Sequence, residues 1–294
     1  MLSHLLFKDK LTILFCLLDD FLALLPKPNR ALISGRNPAG RPANLTPSEL
    51  LTLALFRFWT TLGNWKAFYD LMDAGFRQEF PKLPCYETLL RQINAHGPLG
   101  LLLLIALLDR PEAPGTYALD ATAIPVSRHR RQAKVVQQWA AWGKDSDRHW
   151  FFGFKLHAVC DPRGQLVSLR ITPGNVADVT QAEALLRRLR GLVVADAAYI
   201  STPLREKLWE LGLLLLTPLR KNMKGLASLE QTQQFRGRSI IETVFSVLKD
   251  RLGVVTSLPR SLDGYLSHYV FVLLAYQLGR WVTHTLFSPA LPHP

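Results

Sequence analysis

The sequence predicts an α/β protein: a mixed sheet flanked by helices, preceded by an all-helical region. Three observations carry that prediction. Residues 1 to about 110 repeat apolar side chains at helical spacing. After Pro111-Glu-Ala-Pro-Gly115 the pattern changes to short apolar runs bounded by turn signals. From there the predicted order is strand, hairpin, helix, strand, helix, strand, helix, which requires a sheet covered by helices. The boundaries that follow are a helical domain over 1–110, an α/β domain over 111–287 and a loose tail over 288–294.

The elements follow in order. Residues 1–25 read as a buried helix interrupted by Asp19 and Asp20, and Pro26 to Pro42 as a basic loop. Thr46-Pro47-Ser48-Glu49 supplies an N-cap, a proline at the first helical position and a capping-box glutamate, starting a helix through Trp59. Trp65–Met72 and Tyr86–Asn94 are further helices, Gly97-Pro98 closes that set, and Leu99–Leu108 is one more. Tyr117–Val126 is a strand expected to end close to Asp120, and Ser127–Asp147 a polar, basic loop. Trp150–Val159 and Leu166–Ile171 make a hairpin across the turn Asp161-Pro-Arg-Gly164. A helix over Asp178–Arg190, a strand over Leu192–Ala195, a helix near Pro203–Leu211 and a strand over Leu213–Thr217 come next. Helices near Ser239–Leu252 and Tyr265–Phe287 close the chain.

Composition narrows the function. The 294 residues carry 35 Lys and Arg against 23 Asp and Glu, a net charge of +12, which suits a polyanionic partner. Of this excess, +9 belongs to residues 111–294. Cys16, Cys85 and Cys160 are odd in number and widely spaced, so neither a disulfide framework nor a zinc site is expected. The longest apolar stretch, Leu99–Leu108, is far short of the roughly 20 residues a membrane span needs. A cytoplasmic setting, with no membrane partner and no secretion signal, is the expectation.

Three acids stand at the edges of apolar runs: Asp120 in Tyr117-Ala-Leu-Asp-Ala, Asp196 after Leu192-Val-Val-Ala, and Glu242 in Ser239-Ile-Ile-Glu-Thr. A charge there needs a partner, because burying it alone is expensive. A single Asp after a strand is more often a turn former than a ligand. Together, two at strand ends and one on the closing helix, they could converge in the crevice beyond the strand ends and hold divalent metal through oxygen. Arg238, Glu242 and Lys249 share one face of an ideal α-helix, either as a salt-bridge row or as cations gripping phosphate beside the metal.

The pattern Phe235-x2-Arg238-x3-Glu242-x6-Lys249 resembles the signature around the catalytic glutamate of DDE transposases from bacterial insertion sequences. Trp150-Phe-Phe-Gly-Phe-Lys-Leu-His157, Thr172-Pro-Gly-Asn-Val176 with Asp178, Asp196-Ala-Ala-Tyr199, Thr217-Pro-Leu-Arg-Lys-Asn-Met223 and Glu242-Thr-Val-Phe-Ser246 also resemble, in order and spacing, segments of one insertion-sequence transposase family. The resemblance spans about residues 115–280. Where that signature commonly has tyrosine this chain has Phe235, which cannot hydrogen-bond a phosphate oxygen.

The resemblance implies an RNase H-like catalytic domain in which Asp120, Asp196 and Glu242 hold two Mg²⁺ ions, with Mn²⁺ able to substitute. It implies water attack at the element end, then attack of the freed 3′-hydroxyl on target DNA. Its partners would be the element's terminal inverted repeats, target DNA and further copies of the chain, as a homodimer or larger assembly in a bacterial nucleoid. Lys155 and His157 share a strand face, pointing at DNA or into solvent. Arg128, Arg130, Arg131, Arg220 and Lys221 are the expected backbone contacts. Trp65–Met72 and Tyr86–Asn94 are a candidate reader of the terminal repeat. The alternatives are an RNase H-like nuclease that never joins DNA, and a non-catalytic DNA-binding descendant.

Overall fold

The computed structural model describes residues 6–25, 44–60, 62–108, 113–127, 134–218 and 239–287. Arg128, Arg130, Arg131, Arg220, Lys221, Phe235 and Arg238, and the tail over 288–294, lie outside them. The chain divides into two compact units: Met1–Leu107 with Arg251–Gly253 and Pro259–Pro294, and Leu108–Asp250 with Val254–Leu258.

The first unit is helical among its described residues. It contains α1 (Phe7–Leu24), α2 (Pro47–Trp59), α3 (Trp65–Gly75), α4 (Tyr86–Ala95), α5 (Gly97–Leu107) and α9 (Leu262–Phe287). The α2 capping box forms as its sequence requires: Thr46 Oγ1 accepts from the Glu49 amide at 3.2 Å, and Glu49 Oε2 accepts from the Thr46 amide at 2.6 Å. The Ser48 hydroxyl donates to Asp19 at 2.6 Å, which gives one of the charges interrupting α1 a partner. Polar bonds also fasten α9: Trp59 Nε1 donates to the Ala275 carbonyl at 3.1 Å and Gln277 Nε2 to the Leu107 carbonyl at 2.9 Å. Gly100 lets α5 approach α9, since a Cβ there would fall 2.7 Å from the Phe271 ring. The assignment of α9 differs from the boundary expected from the sequence, which places 262–287 with the α/β domain. No single described helix is long and apolar enough to cross a membrane.

The second unit holds a six-stranded sheet in the order β2-β3-β1-β5-β6, with β4 also paired to β3. The strands are β1 (Gly115–Ser127), β2 (Ala141–Lys144), β3 (Trp150–Cys160), β4 (Leu166–Pro173), β5 (Gly191–Ala195) and β6 (Leu213–Leu216). β3 runs antiparallel to β1, β2 and β4, whereas β1, β5 and β6 are parallel. Tyr117, Leu119, Val193, Ala195, Leu213 and Leu215 pack against α6 (Val179–Leu186) and α7 (Thr202–Glu210) on one face. The other face receives α8 (Ser239–Ser246), whose Ile241, Val244 and Phe245 are buried. A mixed sheet flanked by helices is therefore the architecture.

Two details depart from the sequence reading. β1 runs past Asp120 to Ser127, because Asp120–Ser127 pair with β3 after the parallel neighbour β5 has ended. The loop expected over 127–147 contains β2, an edge strand built around Gly143.

Candidate metal centre

Asp120 and Asp196 reach the same level of the sheet by register. Leu119 pairs with Ala195 as the last parallel partners of β1 and β5, and each acid is the next residue. Alternation sets the face. Tyr117 and Leu119, with Val193 and Ala195, belong to the core under α6 and α7, so Asp120 and Asp196 start toward the α8 face. On that face Ala118 and Val194 line a cavity of about 300 Å³ with Ser239, Ile240 and Thr243 from the first turn of α8. Glu242 stands on that same turn and is exposed. Asp120 and Asp196 are half-buried.

Local bonds orient both aspartates. Asp120 Oδ1 accepts from the Ala121 amide at 2.8 Å. Asp196, in an extended conformation with φ −76° and ψ 169°, caps the 3₁₀ turn Ala197–Tyr199 by accepting from the Ala198 amide. The same turn buries Tyr199, whose hydroxyl has no hydrogen-bond partner among the described residues. Burial pushes the Tyr199 hydroxyl pKa up, and Asp178, Asp120 and Asp196 push it the same way. All three carboxylates therefore act electrostatically on one buried phenol.

Lys249 brings a cation to this end of the sheet. It lies in a π-helical turn, Val247–Arg251, that follows α8 and widens the helix. That widening breaks the ideal spacing on which Glu242 and Lys249 would share a face. Glu242 is exposed and Lys249 half-buried. Burial lowers the Lys249 pKa, opposed by the attraction of Asp250, Asp145 and Asp120.

Lys155 and His157 have partners inside the protein. Lys155 Nζ donates to Asp178 Oδ1 at 2.9 Å and to the Val176 carbonyl at 3.2 Å. His157, 0% exposed, sets Nε2 2.7 Å from Thr172 Oγ1 and Nδ1 3.7 Å from Asp178 Oδ1. Burial pulls its pKa down to about 4, against the pull of Asp178. Neither the solvated strand face nor a DNA contact describes a ring with no exposed surface. The spacing of Lys155 and His157 was legible, but their shared partner Asp178, beyond a strand and a turn, was not.

The acids differ in how they fit a single ion. Among the described residues, the set whose ligand atoms all lie within 4.8 Å of one another is Asp145, Asp147 and His149, in the β2–β3 turn. Asp145 Oδ1 there accepts from the Asp147 and His149 amides at 3.0 and 2.8 Å, a turn-forming arrangement. Asp120, Asp196 and Glu242 do not form so tight a set. Two ions about 4 Å apart, each with oxygens about 2.1 Å away, accept ligand atoms separated by up to about 8 Å. An all-carboxylate donor set fits a hard divalent cation.

The sequence profile of the transposase DDE domain family matches residues 110–261, a span that contains all three acids. A Brucella ovis protein assigned as transposase of the insertion sequence element IS6501 is 31% identical over 127 residues, covering 41% of this chain and 92% of that protein. The chain belongs to the DDE transposase family. In three dimensions it is similar to the piggyBac transposase in a synaptic complex with hairpin DNA, with a TM-score of 0.50, 11% identity, and coverage of 97% of this chain and 83% of that one.

Proposed function

We propose that this chain is an insertion-sequence transposase that cleaves DNA at the element's ends and joins the freed 3′-hydroxyl to target DNA. The observation that carries the reading is the register of β1 and β5. It sets Asp120 and Asp196 side by side as the parallel pairing ends, with Glu242 on the helix covering that face. An RNase H-like catalytic domain is the reading of the sheet order, antiparallel β4, β3 and β1 followed by parallel β5 and β6.

Asp120, Asp196 and Glu242 would hold two Mg²⁺ ions, which when bound lower the pKa of an attacking water or hydroxyl and neutralise charge on the leaving oxygen. The protein's own contribution is placement. The Ala121 and Ala198 amides fix one oxygen of each aspartate and so set the direction of each carboxylate. Lys249, whose charge is attracted by Asp120, would supply positive charge to the oxygens of a scissile phosphate. Basic side chains elsewhere grip the backbone and leave sequence choice to other contacts. Synapsis of two element ends requires at least two copies of the chain.

The test is incubation of the full-length protein with DNA carrying the element's ends, scored for nicked and joined products with Mg²⁺ and with EDTA. Asp120→Asn and Glu242→Gln should each lower cleavage by more than about a hundredfold while keeping DNA affinity within about threefold. Cleavage without joining of a pre-cut end would make the protein a nuclease. No cleavage by the unaltered chain, with DNA binding intact, would make it a binding protein only.

A further inference from the structure

The β2–β3 ribbon carries an aromatic ladder that the metal centre does not use. Its cross-strand pairs are Trp142 with Phe152 and Lys144 with Trp150. Trp142 and Phe152 rings stand 5.5 Å apart, and Lys144 Nζ lies 4.8 Å from the centre of the Trp150 ring. Trp142 is 41% exposed and Trp150 65% exposed, unusual for side chains that gain so much from burial. The reverse side of the ribbon is closed: a Cβ on Gly143 would sit 2.1 Å from the Gly174 carbonyl oxygen.

The ladder lies on the same sheet face as the catalytic candidates. β3 is paired from Trp150 through Ala158, the one irregularity lying on the β1 side opposite Phe152 and Gly153, and Ala158 is the direct partner of Asp120. Trp150, Phe152 and Asp120 therefore share a face. Eight residues of strand separate the level of Trp150 from that of Asp120, about 26 Å at roughly 3.3 Å per residue. A DNA strand spans that length in about eight nucleotides. The half-buried Lys249 feels the charge of both Asp145 at the ribbon's turn and Asp120.

We propose that Trp142 and Trp150 form a stacking platform for unpaired bases of a DNA strand leaving the Asp120–Asp196 end of the sheet. This rests on the transposase reading and adds a strand-specific contact to it. The partner's chemistry follows from the side chains. Indole faces stack on any base. Lys144, held against the Trp150 ring, supplies positive charge for the neighbouring phosphate. Asp145 at the turn keeps Oδ1 occupied by backbone amides. Paired bases hide their faces within the duplex, so the platform discriminates single from double strands.

The probe is fluorescein-labelled dodecathymidylate, compared with a 12-base-pair duplex, bound to the full-length protein without divalent metal and followed by anisotropy. Trp142→Ala with Trp150→Ala should weaken single-strand binding about tenfold or more and change duplex binding less than about twofold. Phe at both positions should restore single-strand affinity to within about threefold. If the double variant loses its fold by circular dichroism, Trp150→Ala alone decides, with a loss of about threefold expected. Unchanged single-strand affinity, or equal weakening toward both DNA forms, overturns the platform. Asp120→Asn separates the two readings, because it should abolish cleavage while single-strand affinity stays within about threefold and remains dependent on the tryptophans. Tryptophan-dependent strand binding without cleavage by the unaltered chain would sink the transposase reading alone.

Discussion

His157 shows what a buried ring does to a protein's response to acid. The unfolded chain's histidines take a proton near pH 6.5, whereas the folded site resists until about 4. Between those values the unfolded state binds the extra proton, so His157's contribution is complete above pH 6.5 and declines as pH falls toward 4. The urea midpoint should therefore drop between pH 7 and pH 5, and less steeply in His157→Gln. A slope unchanged by that substitution would mean the loss comes from other groups. The alternation of β3 already told that Lys155 and His157 share a face. It could not tell that Asp178 closes on them, because that pairing depends on where β4 and the start of α6 fold back. The three candidate acids stand out in the sequence for a different reason. A charge interrupting an apolar run marks itself, and strand order does the rest.

At the scale of elements, the sequence was most readable where one residue type satisfies one geometric need. Thr46, Pro47 and Glu49 announce α2, and the structure forms that cap. β2 was hidden because only one of its four residues is buried, so no apolar alternation exists to see. Its signal is Gly143, whose role appears only once Gly174 is known to lie against it. Gly143→Ala should cost about 2 kcal/mol or more, since the obstructing atom is backbone and cannot rotate away. Chemical denaturation measures this, and a cost below about 0.5 kcal/mol would show that the β2–β4 junction relaxes freely. The π turn at Val247–Arg251 was equally hidden: ideal helical spacing assumes a constant 3.6 residues per turn, and Lys249 sits where that assumption fails.

At the scale of the whole chain, α9 is the element whose allegiance the sequence does not disclose. Its sequence pattern reads Tyr265–Phe287 as a core-packing helix, and apolar surface does not name its partner. The structure groups it with α1–α5, so the helical unit is assembled from both ends of the chain. Tyr265, Tyr269, Phe271, Leu273, Leu274, Tyr276 and Leu278 are all buried there. At roughly 1.5–3 kcal/mol for each large apolar side chain, their burial contributes on the order of 10–20 kcal/mol, comparable to or above a domain's whole net stability. A chain ending at Leu258 should consequently lose more helical circular dichroism than the 26 residues of α9 carry. Its residues 7–107 should become sensitive to limited proteolysis, while the α/β unit keeps its own core of β1, β5, β6, α6 and α7. Retained protection of residues 7–107 in that shortened chain would show that the helical unit folds without its C-terminal helix, and that the boundary near residue 110 is the physical one.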